Sequence, residues 1–97
     1  MKDSVRKKIM ERDKGTCWHC GTNDNVQIHH RTNRGMGGSK LLDRPSNLVV
    51  VCAEYNYAME SNFMEARSAR HLGHKVSRHA SIIHSPIRDF MGKWYLL

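Results

Sequence analysis

A short alternation ending in two histidines, Val26-Gln27-Ile28-His29-His30, constrains this 97-residue chain more than any other segment. Its period of two predicts a strand, and adjacent residues on a strand point to opposite faces. Two imidazoles at the end of such a strand are free to take different work. One can hold a metal while the other takes a proton from water. A chain this short makes one small domain with a limited core, and small domains often lean on a metal or on disulfides. The three cysteines are an odd number, which argues against a closed disulfide framework. Cys17-Trp18-His19-Cys20 has instead the spacing of a metal knuckle.

The rest of the chain reads as helices and short strands around that hairpin. Ser4 is the expected cap of a first helix through Asp13, with Val5, Ile9 and Met10 inward and Arg6, Lys7, Lys8 and Arg12 outward. Gly15 ends it. Asn23-Asp24-Asn25 turns into the first strand, residues 26–30. A long loop over residues 31–45 follows, rich in glycine and in basic side chains, and Pro45-Ser46-Asn47 turns the chain again. Residues 48–52, four apolar residues and a cysteine, predict a second, buried strand. A helix over residues 55–61 comes next. Asn62 and Glu65 form a capping-box pattern for another helix ending near Gly73, unless the two pieces are one bent helix. Val76, Ile82-Ile83 and Trp94-Tyr95-Leu96-Leu97 suggest short terminal strands. Met59, Phe63, Met64 and Leu72 read as core; His71, His74, His79 and His84 read as surface.

The formal charge is +7, and a basic balance of that size favours polyanions, nucleic acid first among them. Plain solubility is the bland alternative. Residues 1–13 are charged with no apolar core, and the longest apolar stretch, residues 48–53, is too short to span a bilayer. These features predict a cytoplasmic protein with reduced thiols and no membrane partner.

In-line hydrolysis of a phosphodiester needs a deprotonated water, neutralisation of the charge growing at phosphorus, and a stabilised leaving oxygen. A near-neutral histidine suits the first task and a divalent cation the other two. His29-His30 followed in order by Asn47 and Asn56, with Cys17 and Cys20 upstream, resembles the HNH endonucleases. Further likeness lies in Arg34-Gly35-Met36-Gly37-Gly38-Ser39, Pro45-Ser46-Asn47-Leu48, Glu60-Ser61-Asn62, Glu65-Ala66-Arg67 and Gly92-Lys93-Trp94, which are similar to small phage-encoded HNH proteins. Each piece alone favours an ordinary structural explanation, such as one core and one surface histidine or a capping asparagine; their joint occurrence reverses the odds.

The resemblance implies an α+β chain: a small ββα-metal (His-Me finger) domain with an N-terminal helix, a C-terminal helix and short terminal strands, its core motif at about residues 17–62. It implies a DNA endonuclease leaving 5′-phosphate and 3′-hydroxyl ends. His30 matches the general base and Asn47 the residue that fixes the loop orienting it. His29 and Asn56 match ligands of the catalytic divalent ion. A phage genome and a place beside the terminase or portal components of a packaging machine are also implied. Both candidate ligands are neutral, which suits manganese, nickel or zinc better than magnesium.

Related proteins often carry Cys-x-x-Cys twice around a structural zinc. Cys17, Cys20 and Cys52 match three of those positions, and the fourth is Tyr55. Either another residue, such as the nearby His19, completes a zinc site, or the zinc is lost and the cysteines pack as small apolar residues. Arg31, Arg34 and Lys40 in the glycine-rich loop are candidate phosphate contacts, with Arg67, Arg70, Lys75 and Arg78 extending the track. A non-catalytic zinc-knuckle DNA-binding module is the rival reading, and an RNA-directed enzyme a third.

Overall fold

The computed structural model describes residues 1–33 and 40–97, and of Lys40 and Leu41 only the backbone. Strand β1 (Val26–His30) pairs antiparallel with β2 (Leu48–Cys52), with His29 opposite Val49 and His30 opposite Leu48. All of Leu48, Val49, Val50 and Val51 are buried, because both faces of this two-stranded sheet are covered. Helix α1 (Asp3–Arg12) covers one face, with Ile9 packed on Leu48 and Val50 and flanked by Val5, Met10, Val26 and Ile28. Helices α2 (Ala53–Ser61) and α3 (Phe63–His71) belong to the other side, where Val49 and Val51 join Cys17, Tyr55, Met59, Ala69 and Ile87. A second antiparallel pair, β3 (Ile87–Arg88) with β4 (Trp94–Tyr95), completes a small α+β architecture. Among the described residues, no helix is long and apolar enough to cross a membrane.

Among the described residues the outer edge of β2 has no strand beside it, and unpaired edge amides and carbonyls need partners. They have them. Asp13 accepts from the amide of Val50 at 3.0 Å, Arg12 donates to the carbonyl of Leu48 at 2.6 Å, and the amide of Trp18 donates to the carbonyl of Val50 at 3.0 Å. Arg12 also reaches Pro45, so the expected outward-facing cation is a clamp between α1 and the sheet edge.

Several expectations shift by small amounts. Helix α1 begins at Asp3 with Lys2 in the capping position, and Ser4 lies inside it. Asn62 does separate two helices: it is extended (φ −125°, ψ 119°), and its side chain accepts from the amides of Met64 and Glu65. The reciprocal half of a capping box is missing, since the amide of Asn62 closes the last turn of α2 on Ala58. That break explains a correction. In one continuous helix Met59 and Phe63 would share a face; here Met59 is buried while Phe63 and Met64 are 73% and 63% exposed. Val76 forms a single amide bond to the carbonyl of Arg31 in place of a strand, and Ile82–His84 is a 3-10 turn.

Candidate functional site

The histidine pair ends β1 with its two rings on opposite faces of the sheet, as their register with Val49 and Leu48 requires. His29 is 4% exposed, and its Nε2 lies 2.8 Å from the carbonyl oxygen of His74. A carbonyl only accepts, so Nε2 carries the proton and the Nδ1 lone pair is left over. Burial drives the pKa of this ring down to about 4, against the opposing pull of that carbonyl, which keeps it neutral at neutral pH. A neutral imidazole with one N–H anchored on a carbonyl is the usual preparation of a histidine metal ligand.

His30, on the α1 side, is partly buried and directs Nε2 at Oδ1 of Asp43, 2.8 Å away. The other carboxylate oxygen is 3.9 Å from the α-amino group of Met1. By the same reasoning a proton on Nε2 leaves the Nδ1 lone pair available, and the carboxylate fixes the tautomer and the orientation of the ring. No spacing in the sequence pointed to Asp43; it enters because a 3-10 turn over Lys40–Asp43 brings the loop back to the strand end.

Asn47 is fully buried. Its Oδ1 accepts from the amide of Thr32 at 2.8 Å, while Nδ2 donates to the carbonyls of Thr32 (3.2 Å) and Leu42 (2.8 Å). One side chain thus joins the residue two beyond His30 to the residue just before Asp43, which fixes both ends of the intervening loop. Asn56, on α2, donates from Nδ2 to Oε1 of Gln27 at 2.7 Å. Gln27 shares its strand face with His29, and the amide oxygen of Asn56 is the atom left for a ligand role.

Arg31 overturns its expectation as a phosphate contact. It is 1% exposed, with Nε on the carbonyl of Gly73 and the terminal nitrogens on the carbonyls of Ser46, Ser85 and Pro86. The cation is an internal cross-link between the loop, the end of α3 and the C-terminal segment. Burial, with the nearby charge of Arg12, lowers its pKa to about 10, still charged at neutral pH. Gly73 has φ +77°, and a Cβ there would stand 2.1 Å from the carbonyl oxygen of Pro86, so only glycine allows this close approach. Arg34 and the side chain of Lys40 lie outside the described residues. A basic groove is present nearby, lined by Thr32, Asn33, Arg70, Lys75 and Arg78; Lys75 also reaches Glu60 at 3.0 Å.

His74 is the second correction: it is 1% exposed, not a surface residue. Its Nε2 donates to the carbonyl of Arg88 at 2.8 Å, so Nδ1 accepts from the hydroxyl of Tyr55 at 2.7 Å. The ring is held neutral, with a pKa near 4, chiefly by burial. Tyr55 is pushed well above its ordinary pKa, again by burial first, and stays a donor. His19 lies flat on the Tyr55 ring, centroids 3.8 Å apart and planes within 6°. A histidine after a C-terminal helix glycine has no pattern to betray it.

Cys17, Cys20 and Cys52 come together, their sulfurs all within 4.8 Å of one another. All three are free thiols. Backbone donation from Thr22 lowers the pKa of Cys20, while burial raises that of Cys52 to about 11. These residues can hold a metal ion. A scan of the sequence against protein-family models matches no family, and searches of curated proteins and of solved structures return no match either.

Proposed function

We propose that the chain is a metal-dependent DNA endonuclease of the HNH type, its ββα-metal core formed by β1, β2 and α2. The observation that carries this reading is the 2.8 Å hydrogen bond from His30 Nε2 to Asp43. A histidine meant only to pack needs no carboxylate; one that must gain a proton is helped by it. In this reading Nδ1 of His30 takes a proton from water, the water oxygen attacks phosphorus, and the 3′ oxygen leaves, giving 5′-phosphate and 3′-hydroxyl ends. Asp43 steadies the imidazolium, and Asn47 keeps the loop that bears Asp43 in register with the strand. His29 through Nδ1 and Asn56 through its amide oxygen are the residues that would hold a divalent cation. When bound, that cation supplies charge neutralisation at the phosphate and at the leaving oxygen. Substrate attraction is supported by the net charge of +7 and by the basic groove that includes Arg70 and Arg78.

The test is nicking of supercoiled plasmid with manganese, with and without chelator. Wild type should nick only with metal, and faster in manganese or nickel than in magnesium at equal concentration. His30→Ala should lose about a hundredfold or more in rate while still shifting the plasmid on a gel. Asp43→Asn should cut more slowly than wild type and faster than His30→Ala. A second reading, a non-catalytic DNA-binding module, accommodates the three clustered sulfurs equally well; a gel shift with no nicking in any metal would establish it and end the nuclease proposal.

A further inference from the structure

The cysteine corner is built for a soft cation, but with one position short. Two tight turns supply the sulfurs. In the first, the amide of His19 donates to Sγ of Cys17 at 3.3 Å; in the second, the amide of Tyr55 donates to Sγ of Cys52 at 3.4 Å. At Cys52 that amide opposes the burial that raises the thiol, and a bound dication would draw the sulfur to the thiolate, the form that binds metal. Sγ of Cys20 and Sγ of Cys52 are 3.9 Å apart. Tetrahedral zinc with bonds of about 2.3 Å needs sulfurs roughly 3.8 Å apart; this pair fits, and the third sulfur lies within 4.8 Å of both. Cys17 is fully buried while Cys20 is exposed, leaving the cluster open on one side.

The fourth ligand is the question. Tyr55 sits where a second Cys-x-x-Cys pair would end, but its hydroxyl is turned to Nδ1 of His74 and its proton is held there. His19 lies against the ring of Tyr55, and its nitrogens are not in the group of mutually close ligand atoms. Among the described residues, that group is the three sulfurs alone.

We infer that Cys17, Cys20 and Cys52 form a three-thiolate site for zinc or a similarly thiophilic divalent cation, its fourth position open on the Cys20 side to water or an exchangeable outside ligand. Binding converts three thiols and one dication into a complex of net charge −1 and releases three protons, so it strengthens as pH rises. The aromatic group of Tyr55 acts as a spacer: it fills the volume of a fourth cysteine without supplying a donor. This inference is independent of the nuclease reading, which uses other residues.

Cobalt(II) is the probe, because its absorption reports thiolate number and coordination. The full chain should take up one equivalent, with thiolate-to-cobalt charge-transfer bands and the visible bands of a four-coordinate site. Added small-molecule thiol should then shift the visible bands as it enters the open position. Tyr55→Cys should give that shifted spectrum unaided, stop responding to added thiol, and hold zinc more than roughly tenfold tighter, the scale on which even outer partners act. Should that variant fail to fold, Cys20→Ser keeps the test alive: its charge-transfer intensity should fall in proportion to the thiolate lost. No stoichiometric cobalt or zinc in the wild type overturns the proposal. So does a wild-type cobalt spectrum unmoved by thiol, which would mean the fourth position is already closed.

Discussion

The two faces of the β1–β2 hairpin are held by different forces. Against α1 the contact is apolar: Ile9 on Leu48 and Val50, with Val5, Met10, Val26 and Ile28 around them. Towards α2 and α3 the apolar cluster is flanked by a hydrogen-bonded set that runs from Arg31 through Gly73, and from His29 through His74 to Tyr55. The first face depends mainly on area removed from water, with Arg12 and Asp13 tying α1 to the sheet edge. The second depends on each buried donor meeting its acceptor and on two histidines staying neutral. The candidate ligands His29 and Asn56 belong to the second face, while His30 and Asp43 stand where the first face reaches the strand end.

The largest expected effect comes from Arg31→Met. The methionine fills part of the volume but leaves the carbonyls of Gly73, Ser46, Ser85 and Pro86 without their donor. Each buried carbonyl left without a donor costs about 1–3 kcal/mol, so the loss is a large share of the stability of a small domain. The urea midpoint should fall accordingly. A loss below about 1 kcal/mol would mean that water replaces the guanidinium and that the polar face is not rigid.

Next is the pH dependence carried by His74. Its folded pKa is about 4, depressed by burial with the nearby His19, His29 and Arg31 adding to it, against an ordinary value of 6.5. Below 6.5 the unfolded chain takes up a proton that the folded chain refuses. Stability contributed by this ring is therefore complete above 6.5 and is lost as pH falls towards 4, by on the order of 1 kcal/mol per pH unit. His29, depressed to a similar value, adds a like slope. His74→Gln should be less stable than wild type at pH 7.5 but should show about half its slope between pH 6.5 and 5 in chemical denaturation. An unchanged slope would remove His74 as its source.

Much of this arrangement was legible from residues near one another in the chain. Both long strands follow from local pattern, one alternating and one uniformly apolar, and Asn62 announced its cap by its residue type. The Cys-x-x-Cys turn followed from spacing, and its approach to Cys52 from the resemblance to proteins that carry the pair twice. What escaped was decided at long range. Arg31 and Arg34 look alike in a basic, glycine-rich loop, yet Arg31 is fixed by carbonyls 15 to 55 residues away in sequence. His74 and Asp43 likewise acquire their partners through tertiary contacts. A single titratable residue carries no period and no spacing rule, so its burial cannot be read before the elements around it are placed.

The smallest effect offers the sharpest contrast between the faces. Ile9 is 1% exposed on the α1 side, and Ile9→Val deletes one buried methyl group without touching a hydrogen bond. The expected loss is about 1 kcal/mol. Because the substituted side chain packs only in an apolar cluster of Leu48, Val50 and their neighbours, the loss should be the same at pH 7.5 and at pH 5.5, measured as a shift in urea midpoint at constant slope. His30 stands at the end of this face, bonded to Asp43, and is the one place where the separation can fail. If the decrement of Ile9→Val changes between the two pH values, packing on α1 is coupled to the ionisation of that pair, and the apolar face takes part in positioning the proposed base.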